Sequence, residues 1–151
     1  MENLRITMIQ SNLFWENVDA NLEMFEKKLS TILYPTDLIV LPEMFATGFT
    51  MNAQKRAETM DGKAVCWMRE QAKKYECCLV GSLAIEENGK YYNRLFFFKP
   101  NGSYLYYDKR HLFKMSGEDK HYSPGKTKII VDVKGWKILP LICFDLRFPV
   151  W

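Results

Sequence analysis

Four apolar residues in a row, Leu38-Ile39-Val40-Leu41, constrain this chain more than any other stretch. A run that short, preceded by Pro35-Thr36-Asp37 and stopped by Pro42, reads as a strand covered on both faces, the habit of parallel sheets. Upstream, Leu4 to Gln10 alternates (Leu4, Ile6 and Met8 against Arg5 and Thr7) and predicts a first strand. Between the two, Asn17 offers a helix N-cap. Val18, Leu22, Phe25, Leu29 and Leu33 then recur on one helical face, with Glu23, Glu26, Lys27 and Lys28 turned mostly to water. The opening is therefore a strand–helix–strand unit with helix packed on sheet.

The remainder extends that sheet. Asp61-Gly62 breaks the chain before a second helix, predicted from Ala64 to Tyr75 with Val65, Met68, Ala72 and Tyr75 inward. Cys77 to Ile85 is strand-like, and Glu87-Asn88-Gly89-Lys90 carries the Asn-Gly signal of a tight hairpin into Tyr91 to Lys99. After Pro100-Asn101-Gly102, Ser103 to Tyr107 goes out again. Lys114 to Lys126 reads as a charged loop, and the last two strands are predicted at Lys128 to Val133 and Trp136 to Ile142. Pro140, which has no N–H for a ladder, predicts an edge or a bulge in the last of them. With 151 residues, 48% of them hydrophobic, the expectation is one α/β domain spanning 1–151.

Composition excludes several function classes. A net charge of +3, with Lys109-Arg110-His111 as the densest basic spot, is too little for a nucleic-acid footprint. No stretch approaches the roughly 18 apolar residues of a membrane span. The start, Met1-Glu2-Asn3, lacks the basic and apolar regions of a signal peptide, so the expected compartment is the cytoplasm. Of the four cysteines none forms a C-x-x-C pair, and neither His111 nor His121 adjoins one, which argues against zinc. Cys66, Cys77 and Cys78 read as core filler, the last two facing opposite sides of a sheet.

Cys143 differs. It follows Leu141-Ile142 and precedes the polar, proline-stopped Phe144-Asp145-Leu146-Arg147-Phe148-Pro149, so its thiol is expected at a strand tip, not inside the core. Glu43 ends the strand Leu38–Leu41 and Lys109 follows Ser103–Tyr107 in the same way. Ligands of such sheets gather beyond strand ends. A thiol, a carboxylate and an ammonium suit attack on an amide or nitrile carbon: the carboxylate takes and returns the proton, the ammonium holds the oxyanion. Taken singly, Glu43 is a solvated residue after a strand, Lys109 a surface lysine and Cys143 buried filler. Together, with these flanks, they read as one site.

Leu41-Pro42-Glu43-Met44-Phe45, Tyr107-Asp108-Lys109-Arg110-His111-Leu112-Phe113 and Ile142-Cys143-Phe144-Asp145-Leu146-Arg147-Phe148-Pro149 resemble, in order, the three motif blocks of the nitrilase superfamily of carbon–nitrogen hydrolases. The Met44 to Met51 loop and the Arg147-Phe148-Pro149-Val150-Trp151 ending look most like the omega-amidase branch. That resemblance implies an α-β-β-α sandwich and a cysteine-dependent amidase hydrolysing 2-oxoglutaramate or 2-oxosuccinamate to the 2-oxo acid and ammonia. It implies Glu43 as general base, Lys109 as oxyanion stabiliser, Cys143 as nucleophile, Glu118 as a second, orienting glutamate and the Phe144 backbone N–H in the oxyanion hole. No metal or organic cofactor is implied, and the partner is a small amide. Arg110 or Arg147 is a candidate for a substrate carboxylate, and His111 and His121 are expected to be structural. Family members continue well past the cysteine block, so the expectation is only the N-terminal part of the sandwich, with uncovered apolar faces and a dimer if folded. Other readings are a different family amidase, such as an N-carbamoyl amidase, or an inactive remnant that only associates with partners.

Overall fold

The computed structural model of the chain describes residues 2–151. Strands β1 (Ile6–Met8), β2 (Leu38–Val40), β3 (Cys78–Glu87), β4 (Lys90–Phe98) and β5 (Tyr104–Asp108) form one sheet in that spatial order. β1, β2 and β3 run parallel; β3, β4 and β5 are antiparallel. Helices α1 (Val18–Ser30) and α3 (Lys63–Lys74) cover one face, and the four-residue α2 (Ala53–Arg56), not anticipated from the sequence, lies between them in the chain. A second, two-stranded sheet, β6 (Val131–Val133) with β7 (Trp136–Ile138), covers part of the other face. The layers are thus helix, sheet, sheet.

Each α1 feature has a local cause. The Asn17 side chain accepts from the Ala20 N–H at 3.1 Å, capping the first turn. Leu22, Phe25 and Leu29 are buried against Ile39, Leu79, Leu83 and Phe96 of the sheet, each contributing about 1.5–3 kcal/mol by leaving water. Leu33, expected on that face, lies beyond the helix end and is 85% exposed. The helix stops early because the Ser30 and Thr31 hydroxyls bond back to the Lys27 and Lys28 carbonyls at 2.7 and 2.8 Å, closing the last turn.

The helix-side face of the sheet is covered by α1 and α3, and the opposite face only in part, by β6 and β7, with Ile6 and Met8 left exposed. Cys77 belongs to the helix-side core and Cys78 to the opposite one, so the two thiols do face opposite ways. Asn88 and Gly89, both at positive φ (53° and 73°), make the β3–β4 hairpin turn. On β4, Arg94 is 1% exposed. It donates to Asp108 at 2.6 and 2.9 Å and to Glu87 at 3.0 Å. This bidentate pair fixes the end of β5 just before Lys109.

The largest departures from the expected strands are in β1, β6 and β7. β1 is three residues long, not seven, and its Ile6 and Met8 are exposed. β6 begins at Val131, not Lys128. The predicted strand Trp136 to Ile142 ends at Ile138, because Pro140 interrupts pairing and residues 139–142 run on outside any ladder. Cys143 therefore does not cap a strand. It opens a 3₁₀ turn, Cys143–Arg147.

Candidate active site

Glu43 leaves β2 through Leu41-Pro42. The Leu41 N–H still pairs with the Val80 carbonyl (2.8 Å), after which Ser82 of β3 takes over: its hydroxyl accepts from Met44 N–H at 2.9 Å and its carbonyl from Phe45 N–H at 3.2 Å. Met44 itself sits at φ 46°. Lys109 leaves β5 with its N–H on the Asn93 carbonyl and its carbonyl accepting from Gly125 N–H, both at 2.9 Å. Cys143 has φ 45°. Left-handed backbone at a residue with a Cβ costs about 1–2 kcal/mol, and it occurs here both at the cysteine and next to the glutamate.

These three loops bring their side chains together. Lys109, fully buried, places Nζ 2.7 Å from Glu43 Oε1. Glu43 and Cys143 line one cleft, and the thiol lies in the fields of the Glu43 carboxylate and the Lys109 ammonium. Burial pushes the thiol up, the Glu43 carboxylate pushes it further, and the Lys109 ammonium pulls it back only in part. For Lys109, burial works against the charge, but Glu43 and Glu118 outweigh it and hold the ammonium above its ordinary value.

Glu118 also arrives here, from a 3₁₀ turn within a segment the sequence marks as charged loop. It is 0% exposed. Its carboxylate accepts from Lys109 Nζ at 2.9 and 3.2 Å, from Phe113 N–H at 2.6 Å and from Asn93 Nδ2 at 3.1 Å. Glu118 is saturated with donors, whereas Glu43 Oε1 alone takes the Lys109 and Asn93 bonds. Glu43 Oε2 takes neither bond, and Glu43 lines the same cleft as Cys143. The Phe144 N–H lies in the first turn of the 3₁₀ segment, where such donors lack an intrahelical acceptor.

Two residues without a role in the sequence reading hold the arrangement. Asn93, from β4, bridges Glu43 and Glu118. Asp145, 0% exposed, accepts from Tyr107 Oη (2.7 Å), His111 N–H (2.8 Å), His111 Nδ1 (2.9 Å) and Ile142 N–H (3.2 Å), binding the turn after Cys143 to the strand before Lys109. Burial, then the Asp145 bond, raises the Tyr107 phenol and keeps its proton in place. His111 stacks on Phe148 at 3.8 Å, which ties it to the same brace. Arg110 donates to the Gly125 carbonyl at 3.1 Å, and Arg147 is exposed. The Met44 to Met51 loop is mostly core: Met44, Phe45 and Ala46 are fully or almost fully buried, and Phe49 alone reaches the charges, its ring 5.1 Å from Lys109 Nζ. An apolar stretch too long for a surface loop satisfies itself equally well inside.

Gly125 shows how tightly Lys109 is seated, since a side-chain carbon there would collide with the Asp108 backbone carbonyl. Gly125→Ala is expected to destabilise the fold by about 1–3 kcal/mol and to lower activity further by displacing Lys109. Urea melts with active-site titration check this; wild-type stability would show that the two backbones separate freely.

A cleft of about 210 Å³ opens onto Glu43 and Cys143, lined by Val40, Val80, Leu95, Phe97 and Pro140 among others. Among the described residues no helix is long and apolar enough to cross a membrane. Residues 5–150 match the family described as Carbon-nitrogen hydrolase. Omega-amidase YafV of Escherichia coli (strain K12) is 43% identical over 151 residues, covering 100% of this chain and 58% of that protein. The 2-oxoglutaramate amidase of Bacillus subtilis (strain 168) is 30% identical over 149 residues, 97% of this chain and 58% of that one. A CN-hydrolase superfamily protein of Xanthomonas campestris, solved with an arsenic adduct in its active site, superposes with a TM-score of 0.96 at 39% identity, over 99% of this chain and 57% of its own. The chain spans about 58% of the length of the curated relatives it matches.

Proposed function

The chain belongs to the carbon–nitrogen hydrolase family, and on that premise we propose that it carries the nucleophile, base and oxyanion-stabilising groups of a cysteine-dependent amidase. The observation that carries this reading is one shared carboxylate: Glu43 accepts from the buried Lys109 ammonium at 2.7 Å and lines one cleft with Cys143, whose thiol its charge raises. As sulfur attacks the amide carbon, Glu43 takes the thiol proton and the carbonyl electrons move onto oxygen. Lys109 Nζ and the Phe144 N–H stabilise that oxyanion. When the tetrahedral species collapses, the C–N bond breaks and Glu43 passes the proton to the departing ammonia, leaving a thioester. Water, deprotonated by Glu43, then attacks the thioester; acid and free thiol are released. Glu118 keeps Lys109 charged and in place.

The substrate reading is the side-chain amide of 2-oxoglutaramate or 2-oxosuccinamate, supported by likeness to the omega-amidase and the 2-oxoglutaramate amidase. One observation favours a second reading, a short-chain amidase of neutral acyl groups. Among the described residues, the cleft beside Cys143 is lined mainly by apolar side chains, with Glu43 as its one charged group. Ammonia release from 2-oxoglutaramate and from butyramide separates the two, and hydroxylamine trapping of the acyl group as a hydroxamate tests the thioester. No ammonia and no hydroxamate from any short amide would refute the amidase reading. Free thiols at all four cysteines suit a reducing compartment, the cytoplasm.

A thiol held up in this way is protonated at neutral pH, so proton removal belongs to the attack itself. Alkylation of Cys143 by iodoacetamide is expected to rise with pH to a midpoint above about 8.5, that of a free cysteine. In Glu43→Gln the midpoint falls, because the neutral amide no longer opposes the thiolate, while hydrolysis drops about 10²–10⁴-fold with the base gone. An unmoved midpoint would show that Glu43 does not face the sulfur.

A further inference from the structure

Asn93 is 0% exposed and lies on β4 opposite Ala84. Its single amide nitrogen donates to Glu43 Oε1 at 2.8 Å and to Glu118 Oε1 at 3.1 Å. Its side-chain oxygen is buried without a hydrogen-bond partner. A buried amide oxygen left unpaired costs about 1–3 kcal/mol, and the opposite flip would aim that oxygen at two carboxylates. The amide orientation is thereby fixed, with nitrogen toward the acids. Its backbone carbonyl also accepts the Lys109 N–H at 2.9 Å. One residue thus contacts all three charged members of the site, and its buried oxygen stays unsatisfied in doing so.

We propose that Asn93 is a positioning residue: by holding Glu43 Oε1, it turns the other oxygen of Glu43 toward the cleft that Cys143 lines and fixes the two glutamates on either side of Lys109. Lys109 alone does not accomplish this. An ammonium is a compact charge on a rotatable stem that tolerates either carboxylate oxygen, whereas a planar amide with both N–H groups engaged defines one plane and one face. The proposal rests on the amidase reading for its kinetic consequences but not for its geometry.

The test uses Asn93→Leu and the near-isosteric Asn93→Asp, with iodoacetamide alkylation of Cys143 from pH 5 to 10 as a readout that needs no substrate, beside 2-oxoglutaramate kinetics. In Asn93→Leu the Glu43 carboxylate turns away from the cleft, so the alkylation midpoint falls. kcat falls about 100-fold, the scale of a misaligned catalytic group, with KM changed less than threefold. In Asn93→Asp the new carboxyl can donate only while it keeps its proton, so the activity deficit relative to wild type shrinks toward acid pH. A purely structural role would instead give a lower melting temperature, an unshifted alkylation curve in Asn93→Leu and a pH-independent deficit in Asn93→Asp; that pattern overturns the proposal. If Asn93→Leu does not fold, the pH dependence of the Asn93→Asp deficit decides alone. Should the alkylation midpoint shift while wild-type protein hydrolyses no amide, Asn93 keeps this role and the amidase reading fails. Should wild type hydrolyse 2-oxoglutaramate and both variants match it, Asn93 loses the role and the amidase reading stands.

Discussion

Cys143→Ala is expected to lower amide hydrolysis by about 10⁴-fold or more and to abolish hydroxamate formation, while the thermal transition stays near that of the wild type. The turn does not depend on the sulfur. Cys143 is exposed, and the 3₁₀ segment is anchored through Asp145, with Ile142 N–H and Tyr107 Oη on one of its oxygens. Alanine at φ 45° carries the same backbone penalty as cysteine, so nothing in the fold is released by the change. What disappears is the atom that forms the acyl bond, and no neighbouring group can replace it. Retention of wild-type rates would remove Cys143 from the mechanism, and with it the reason for the Glu43 and Lys109 arrangement.

Lys109→Met should affect both stability and turnover. The ammonium is fully buried and stands between two carboxylates, 2.7 Å from one and 2.9 Å from the other. Methionine fills similar space but leaves two negative groups facing each other without a cation. Breaking a buried ion pair from one side typically costs about 3–5 kcal/mol. The pH dependence has a definite sign: with the cation gone, like charges favour proton uptake by one carboxylate in the folded chain. The deficit in unfolding free energy is therefore largest near neutral pH and shrinks as the solution is acidified. Turnover falls with the loss of the oxyanion partner, by about 10²–10³-fold. Urea melts at pH 5 and pH 8 check the first part; an equal deficit at both would mean that the two acids do not interact once the lysine is gone.

Glu43, Lys109 and Cys143 were legible because each is a polar residue breaking an apolar run, and because their flanks recur in a known order. Glu118 came only through the resemblance: its neighbours Asp119 and Lys120 make it look like solvated loop, and burial to 0% is a tertiary property that no local pattern encodes. Asn93 was hidden for a related reason. In the strand Tyr91 to Lys99 a polar residue reads as the water-facing side, yet both Asn93 and its neighbour Arg94 are buried, one against the acids of the site and the other against Asp108 and Glu87. Asp145, within a polar segment after the cysteine, gives no local sign of being a buried acceptor. Helices α1 and α3 and the β3–β4 hairpin lie within a few residues of their expected places, since capping side chains and Asn-Gly act locally. The strand before Cys143 was overextended because apolar spacing counts side chains, while a ladder depends on N–H groups, and Pro140 has none.

The Asp145 carboxylate joins a tyrosine, a histidine and the residue before the thiol, across 34 to 38 positions of sequence. The blocks carrying the lysine and the cysteine are consequently not independent mutational targets. A substitution that loosens Tyr107 or His111 is felt at the sulfur without touching it, and tolerance in one block is inherited from the state of the other. Among descendants of such a sequence, changes around the lysine and around the cysteine should appear in matched sets, with this single acid as the hinge of their covariation.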